Sequence, residues 1–234
     1  GRGSFIESFP LFGYSLEDYD ELFSEKLELL IKVNHHEMVD WKGGMRPEIL
    51  HKGVYPRADR KLPIWVAIGG TPASVVRAAQ MKLNMALAII GGEPSRFVPF
   101  VKYYREVLQA SGHDVSQSKI GINSMGFIAE ESQDAADIFY PSYAAAMTKI
   151  GKERGWGPTT REQFEWLRMP KGCLLVGSPQ QVIDKLLYQH ELFGNDRFMM
   201  QMCVGVLPHD KMMKSIELYG TKVLPVIKKQ LSIF

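Results

Sequence analysis

Residues 63–92 read PIWVAIGGTPASVVRAAQMKLNMALAIIGG, and their pattern decides the fold. An apolar run from Ile64 to Ile68 ends in Gly69-Gly70. It is too short for a helix and rich in β-branched and aromatic residues, so it reads as a buried strand. Thr71 then supplies a helix cap and Pro72 the first helical position, where the missing N–H is harmless. A second apolar run over 84–90 closes the stretch and again ends in paired glycines, Gly91-Gly92. Continuous apolar strands separated by a helix point to parallel strands buried on both faces.

The alternation continues toward the C-terminus. Residues 94–112 form a helical pattern stopped by Gly112, and 119–130 read as a third strand. Residues 132–155 are helical, with Pro141 expected to kink the helix or divide it. An insertion near 156–172 precedes a helix over 178–194, with Ser178 as cap, Pro179 at its first position and Gly194 as stop. A fourth strand over 196–206 and a closing helix over 208–229 complete the chain. Toward the N-terminus, 15–36 read as a helix capped by Ser15, with Glu17, Asp18 and Asp20 where the dipole favours acids. Residues 41–63 hold several Gly and Pro breaks among mixed charges and read as a long connection with a short hairpin. The whole, residues 1–234, is expected to be one α/β domain. A doubly wound sheet and a barrel both satisfy the pattern.

The 28 basic residues nearly match the 26 acidic ones. That balance argues against nucleic acid or an anionic membrane as principal partner. No apolar run approaches the length of a membrane span. Cys173 and Cys203 lie far apart and match neither a disulfide framework nor a zinc pattern, so both read as reduced thiols, which suits the cytoplasm.

The chemistry of the chain starts at Gly70. A helix that opens directly from a strand end presents free amides, a natural seat for phosphate. Gly69-Gly70 let a ligand approach the backbone closely, and Gly91-Gly92 at the next strand end leave room for something flat. Ligands in α/β proteins gather at the carboxyl ends of strands. Neither turn matches a Walker loop or the dinucleotide Gly pattern. The same sequence also fits an ordinary capped helix after a tight turn, and glycines that only relieve crowding. The six histidines do not cluster, although His209 opens the last helix, near the active face if the fold is a barrel. The methionines at 199, 200, 202, 212 and 213 read as packing. Hydrolase and metalloprotease motifs are absent.

Five stretches carry a resemblance: 1–30 (GRGSFIESFPLFGYSLEDYDELFSEKLELL), 54–79 (VYPRADRKLPIWVAIGGTPASVVRAA), 87–106 (LAIIGGEPSRFVPFVKYYRE), 176–186 (VGSPQQVIDKL) and 207–225 (LPHDKMMKSIELYGTKVLP). In this order they resemble the bacterial luciferase-like flavin-dependent monooxygenases. The resemblance implies a (β/α)8 TIM-barrel fold that uses reduced FMN and molecular oxygen to oxidise an organic substrate. It implies flavin-phosphate contacts at Arg2, Gly70, Thr71 and Ser74, and an approach of the flavin ring to Gly91. It also implies a flavin reductase as electron source.

In the family an Arg-Gly turn like that of residues 1–4 falls well inside the protein. The chain is therefore expected to be the C-terminal part of a longer enzyme, with about four of the eight barrel strands. Such a part should hide its open face in a homodimer. Lys82-Leu83-Asn84, Met125 and Val206 depart from residues common in relatives, and Met125 stands where a histidine is frequent. The alternatives are a deazaflavin-dependent hydride-transfer enzyme on the same fold, an assembled but inactive fragment, and a phosphosugar barrel enzyme.

Overall fold

The structure, a computed structural model, describes residues 8–152 and 154–232, so Arg2 lies outside the described residues. The chain divides into two units, residues 1–66 and 67–234.

In the first unit, α1 (Ser8–Leu11) and a 3-10 turn lead into α2 (Tyr19–His35). The Ser15 hydroxyl accepts from the Glu17 amide, so the expected cap forms on the 3-10 turn that opens this helix. β1 (Val39–Trp41) and β2 (Ile49–Lys52) pair antiparallel, the short hairpin expected in the long connection. The Glu25 carboxylate fixes the loop between them by accepting from the amides of Gly44 and Met45 at 2.7 and 2.9 Å.

The second unit carries the repeating architecture. β3 (Trp65–Ile68), α3 (Pro72–Gln80), β4 (Asn84–Ala88), α4 (Val98–Ala110), β5 (Ile120–Ile128) and α5 (Ser132–Lys152) follow the expected alternation. After them come α6 (Arg161–Arg168), β6 (Leu175–Gly177), α7 (Pro179–Phe193), β7 (Arg197–Gln201), α8 (His209–Leu218) and α9 (Leu224–Gln230). The strand order is β3-β4-β5-β6, with β7 also on β5. β4, β6 and β7 all run parallel to β5.

β5 serves three partners because it is long. Ile120–Asn123 pair with β4 and Gly121–Met125 with β7, while Gly126–Ile128 turn to β6. The switch falls at Gly126, where a Cβ would sit 2.8 Å from the Leu175 carbonyl and 2.8 Å from the Met200 sulfur. Only glycine fits there.

Register sets the faces. Met85, Leu87, Ile120, Ile122, Phe198 and Met200 share one face, and Ala86, Ala88, Gly121, Asn123, Arg197 and Met199 the other. The expected burial on both faces holds for β5 and fails for β3, β4 and β7, where burial alternates. β5 has neighbours along both edges, whereas β7 has only β5 among the described residues.

Helix ends follow the sequence closely. Ser178 and Gln181 form a reciprocal capping box on α7, and Gly194 ends that helix in the left-handed conformation. Three details differ from expectation. α5 runs through Pro141 undivided, because Phe139, Tyr140 and Tyr143 on either side of the proline all pack against Phe164. The insertion contains a helix, α6, and a short strand, β6, follows it before α7. The closing helix contains a π turn over Tyr219–Val223. Pro225 lacks an N–H and crowds the preceding turn, and the wider π turn accommodates it.

The core holds Ile128, Leu175, Val182, Ile183, Leu186, Leu218 and Val223, which join β5, β6, α7 and α8 to the π turn. A buried hydroxyl, that of Ser215, accepts from the Ile128 amide at 2.8 Å and ties α8 to the end of β5.

Candidate functional site

The turn after β3 has the geometry of an anion seat. Gly70 sits at φ +111, a conformation that strains residues with a Cβ, and redirects the chain from strand to helix. Thr71 follows in extended backbone as the cap of α3, with Pro72 at the first helical position. The Thr71 side chain does not cap the helix; its hydroxyl instead bonds that of Ser74. Ser74 is a buried polar residue in the first turn, and its amide bonds the Thr71 carbonyl. Among the described residues no carbonyl accepts from the amides of Thr71 and Ala73. Unpaired amides at the positive end of a helix attract negative charge.

The glycines show where space is kept. A Cβ added to Gly69 or Gly91 would meet nothing within 4 Å. Neither residue is therefore glycine to relieve crowding by the protein itself. Gly92 differs: its φ of +74 is a turn requirement. β3 and β4 are neighbours in the sheet, so their carboxyl ends open side by side.

Beyond Gly91 lies a cavity of about 530 Å³. It is lined by Ile90, Gly91 and Gly92, by Tyr143 and Met147 of α5, by Trp156 and Thr159, and by the α6 residues Glu162, Gln163, Trp166 and Leu167. Its size and apolar lining suit an organic molecule. α6 is held in place by charge. The Arg161 guanidinium bonds Asp137 at 2.9 Å and Glu165 at 2.7 Å, while Arg168 bonds Glu165 at 2.6 Å and the Ser132 hydroxyl at 2.6 Å. Arg161 also lies over the rings of Tyr140 and Phe164. Burial pushes the Tyr143 phenol up to about 12, with a smaller push from Cys173.

Thus the structure brings Gly70, Thr71 and Ser74 together in one turn and sets Gly91 at the next strand end. His209 opens α8 as expected, and its ring makes no hydrogen bond among the described residues. Met125 is a buried residue of β5. Both cysteines are free thiols. No group of three or more His, Cys, Asp or Glu among the described residues could hold a metal ion, and no described helix is long and apolar enough to cross a membrane. Sequence reasoning passed over Tyr143, Trp156 and Trp166. A usable signal was present in Thr160 and Gln163, which form the capping box of α6.

Residues 1–196 match the profile described as luciferase-like monooxygenase. Uncharacterized protein y4vJ of Sinorhizobium fredii is 23% identical over 248 residues, an alignment covering 99% of this chain and 69% of that protein. Monooxygenase RslO1 from Streptomyces bottropensis superposes with a TM-score of 0.81 at 21% identity, covering 97% of this chain and 67% of its own. The oxygenating constituent of 3,6-diketocamphane monooxygenase from Pseudomonas putida, solved in complex with FMN, gives 0.69 at 17% identity and covers 97% and 70%. An F420-dependent secondary alcohol dehydrogenase gives 0.67 at 11% identity and covers 91% and 63%. At such identities the structural likeness is one of fold.

Proposed function

The chain belongs to the luciferase-like monooxygenase family and has its α/β, TIM-barrel-type fold, and from that premise we propose that it binds FMN and serves an oxidoreductase acting on an organic substrate. The supporting observation is the turn after β3, where the unpaired amides of Thr71 and Ala73 and the paired hydroxyls of Thr71 and Ser74 fall in the helix start after Gly70. The FMN phosphate fits this donor set, with Arg2 as the neutralising cation that the family resemblance assigns. The open space in front of Gly69 and Gly91 gives the flavin ring a path along the strand ends.

When bound as the reduced form, FMN supplies the electrons for activating oxygen. The chain's own residues bind and orient. The amides of Thr71 and Ala73 and the hydroxyls of Thr71 and Ser74 would meet phosphate, and Gly91 allows the ring to lie against the backbone. The aromatic residues of α5 and the insertion exclude water from the cavity beyond it. A flavin reductase supplies reduced FMN in this reading, and the protein works in the cytoplasm.

Ser74→Asp places a carboxylate among the phosphate donors. It should weaken FMN binding by about 1–3 kcal/mol, the scale of a disturbed hydrogen bond to a charged group. Quenching of flavin fluorescence on titration measures this, and an unchanged affinity refutes the assignment. A second reading replaces FMN with a deazaflavin, and the F420-dependent structural relative favours it. The absorption spectrum of cofactor retained through native purification separates the two.

A further inference from the structure

We propose that the cavity walled by α5 and α6 is the seat of the organic substrate, and that it selects a planar, uncharged aromatic compound carrying a carbonyl-type acceptor for the Tyr143 hydroxyl. This rests on the reading that the flavin lies along the strand ends at Gly91.

Three observations carry it. First, Tyr143 is only 2% exposed, yet it lines the cavity. Its ring is fixed by Phe139 at 5.8 Å and Phe164 at 5.6 Å. No hydrogen bond of its hydroxyl occurs among the described residues, and the oxygen is not one of the buried atoms without a partner, so it keeps accessible surface. An accessible phenol hydroxyl without a protein partner, on a ring that lines a cavity, can donate to a guest. Its raised pKa keeps the proton on the oxygen throughout the physiological range.

Second, the lining is rich in exposed aromatic surface. Trp156 is 53% exposed and Trp166 49% exposed, and both line the cavity. Exposed indoles in a cavity lining favour a planar apolar guest. The Arg154 guanidinium lies 5.5 Å from the Trp156 ring centroid.

Third, the charge is one-sided. Glu162 is the only charged residue in the lining, and it makes no ion pair among the described residues. The nearby cation Arg161 is committed to Asp137 and Glu165. An anionic substrate finds no counter-charge in the wall and meets a carboxylate at its rim.

Three probes of one ring size test this with the purified chain by calorimetry: naphthalene, 2-acetonaphthone and 2-naphthoate. 2-Acetonaphthone should bind more tightly than naphthalene, and 2-naphthoate more weakly than both. Tyr143→Phe should weaken 2-acetonaphthone about 5-fold, the scale of one hydrogen bond, and leave naphthalene within about 2-fold. Trp166→Ala should weaken both neutral probes about 5-fold or more, through lost stacking. Glu162→Gln should narrow the gap to 2-naphthoate by about 2- to 5-fold, as expected of an exposed charge. Saturating FMN should leave the affinity for 2-acetonaphthone unchanged.

Loss of naphthalene binding in Tyr143→Phe would mean a packing role and overturn the hydrogen-bond assignment. Equal affinity of the wild type for 2-naphthoate and 2-acetonaphthone overturns the stated selectivity. Displacement of the probe by FMN overturns the seat, because the cavity would then hold the flavin itself. FMN affinity is read separately, so a chain that fails to bind FMN but shows the probe pattern sinks the flavin reading alone.

Discussion

Lys185 lies on α7 at 4% exposure, and its ammonium is surrounded by carbonyls. It donates to the carbonyls of Arg168, Met169 and Leu174 at 3.2, 2.7 and 2.6 Å. Those three residues span the C-terminal end of α6 and the approach to β6, so one side chain pins the segment that follows the cavity wall. Burial lowers its pKa from 10.5 to about 7, with Arg168 adding to the fall and Cys173 opposing it.

Between pH 7 and 10.5 the unfolded chain therefore binds more protons than the folded one, and stability rises with pH across that window. The full difference corresponds to about 5 kcal/mol, all of it lost to the folded state at low pH, once pH has fallen through the folded value. The three carbonyls favour the charged form and offset part of that, so this is an upper value. Over pH 7 to 9 alone the expected gain is about 2 kcal/mol. Cys173 does not interfere there. Burial raises its thiol from 9.0 to about 11, so its contribution is intact below pH 9 and is lost only as pH rises toward 11.

Lys185→Met keeps the chain length of the stem and removes the titration. Urea unfolding followed by far-UV circular dichroism at pH 6, 7, 8 and 9 compares the two proteins. The wild type should gain about 2 kcal/mol on the variant between pH 7 and 9. Parallel pH profiles for the two proteins would refute the reasoning.

Other outcomes follow from packing and assembly. Phe164→Ala should destabilise the protein by about 3–5 kcal/mol, since Phe164 is fully buried among Phe139, Tyr140 and Tyr143; a loss under 1 kcal/mol in urea unfolding would show that the cluster collapses around the gap. Ser178→Ala breaks the capping box of α7 and should cost about 1 kcal/mol, read as a lowered thermal midpoint, whereas an unchanged midpoint would mean water satisfies the freed amide. β7 is paired along one edge among the described residues, and Met199 on its open face is 42% exposed, so light scattering should report a dimer with an interface beyond ~2,000 Å². A stable monomer at micromolar concentration contradicts that assembly.

Local chemistry by itself determined the alternation of strands and helices in this protein. Paired glycines after apolar runs, Pro72 and Pro179 at first helical positions, and Gly194 as stop act through a few neighbouring residues, so each is readable without the fold. The anion turn at Gly70, Thr71 and Ser74 was legible for the same reason: strand, turn and helix start are contiguous in the chain. Only the tertiary structure decided what lies beyond Gly91. Tyr143 and Trp166 belong to different helices, and each alone looks like core. They wall one cavity because the Arg161–Asp137 ion pair, the Arg168 hydrogen bonds to Ser132 and the Phe164 cluster set α6 against α5. Lys185 shows the same limit. On a helix it reads as a solvated cation, and it became a buried, three-carbonyl donor only when the loop after α6 folded over it. Burial and partnership across such distances depend on packing geometry, which no local pattern encodes.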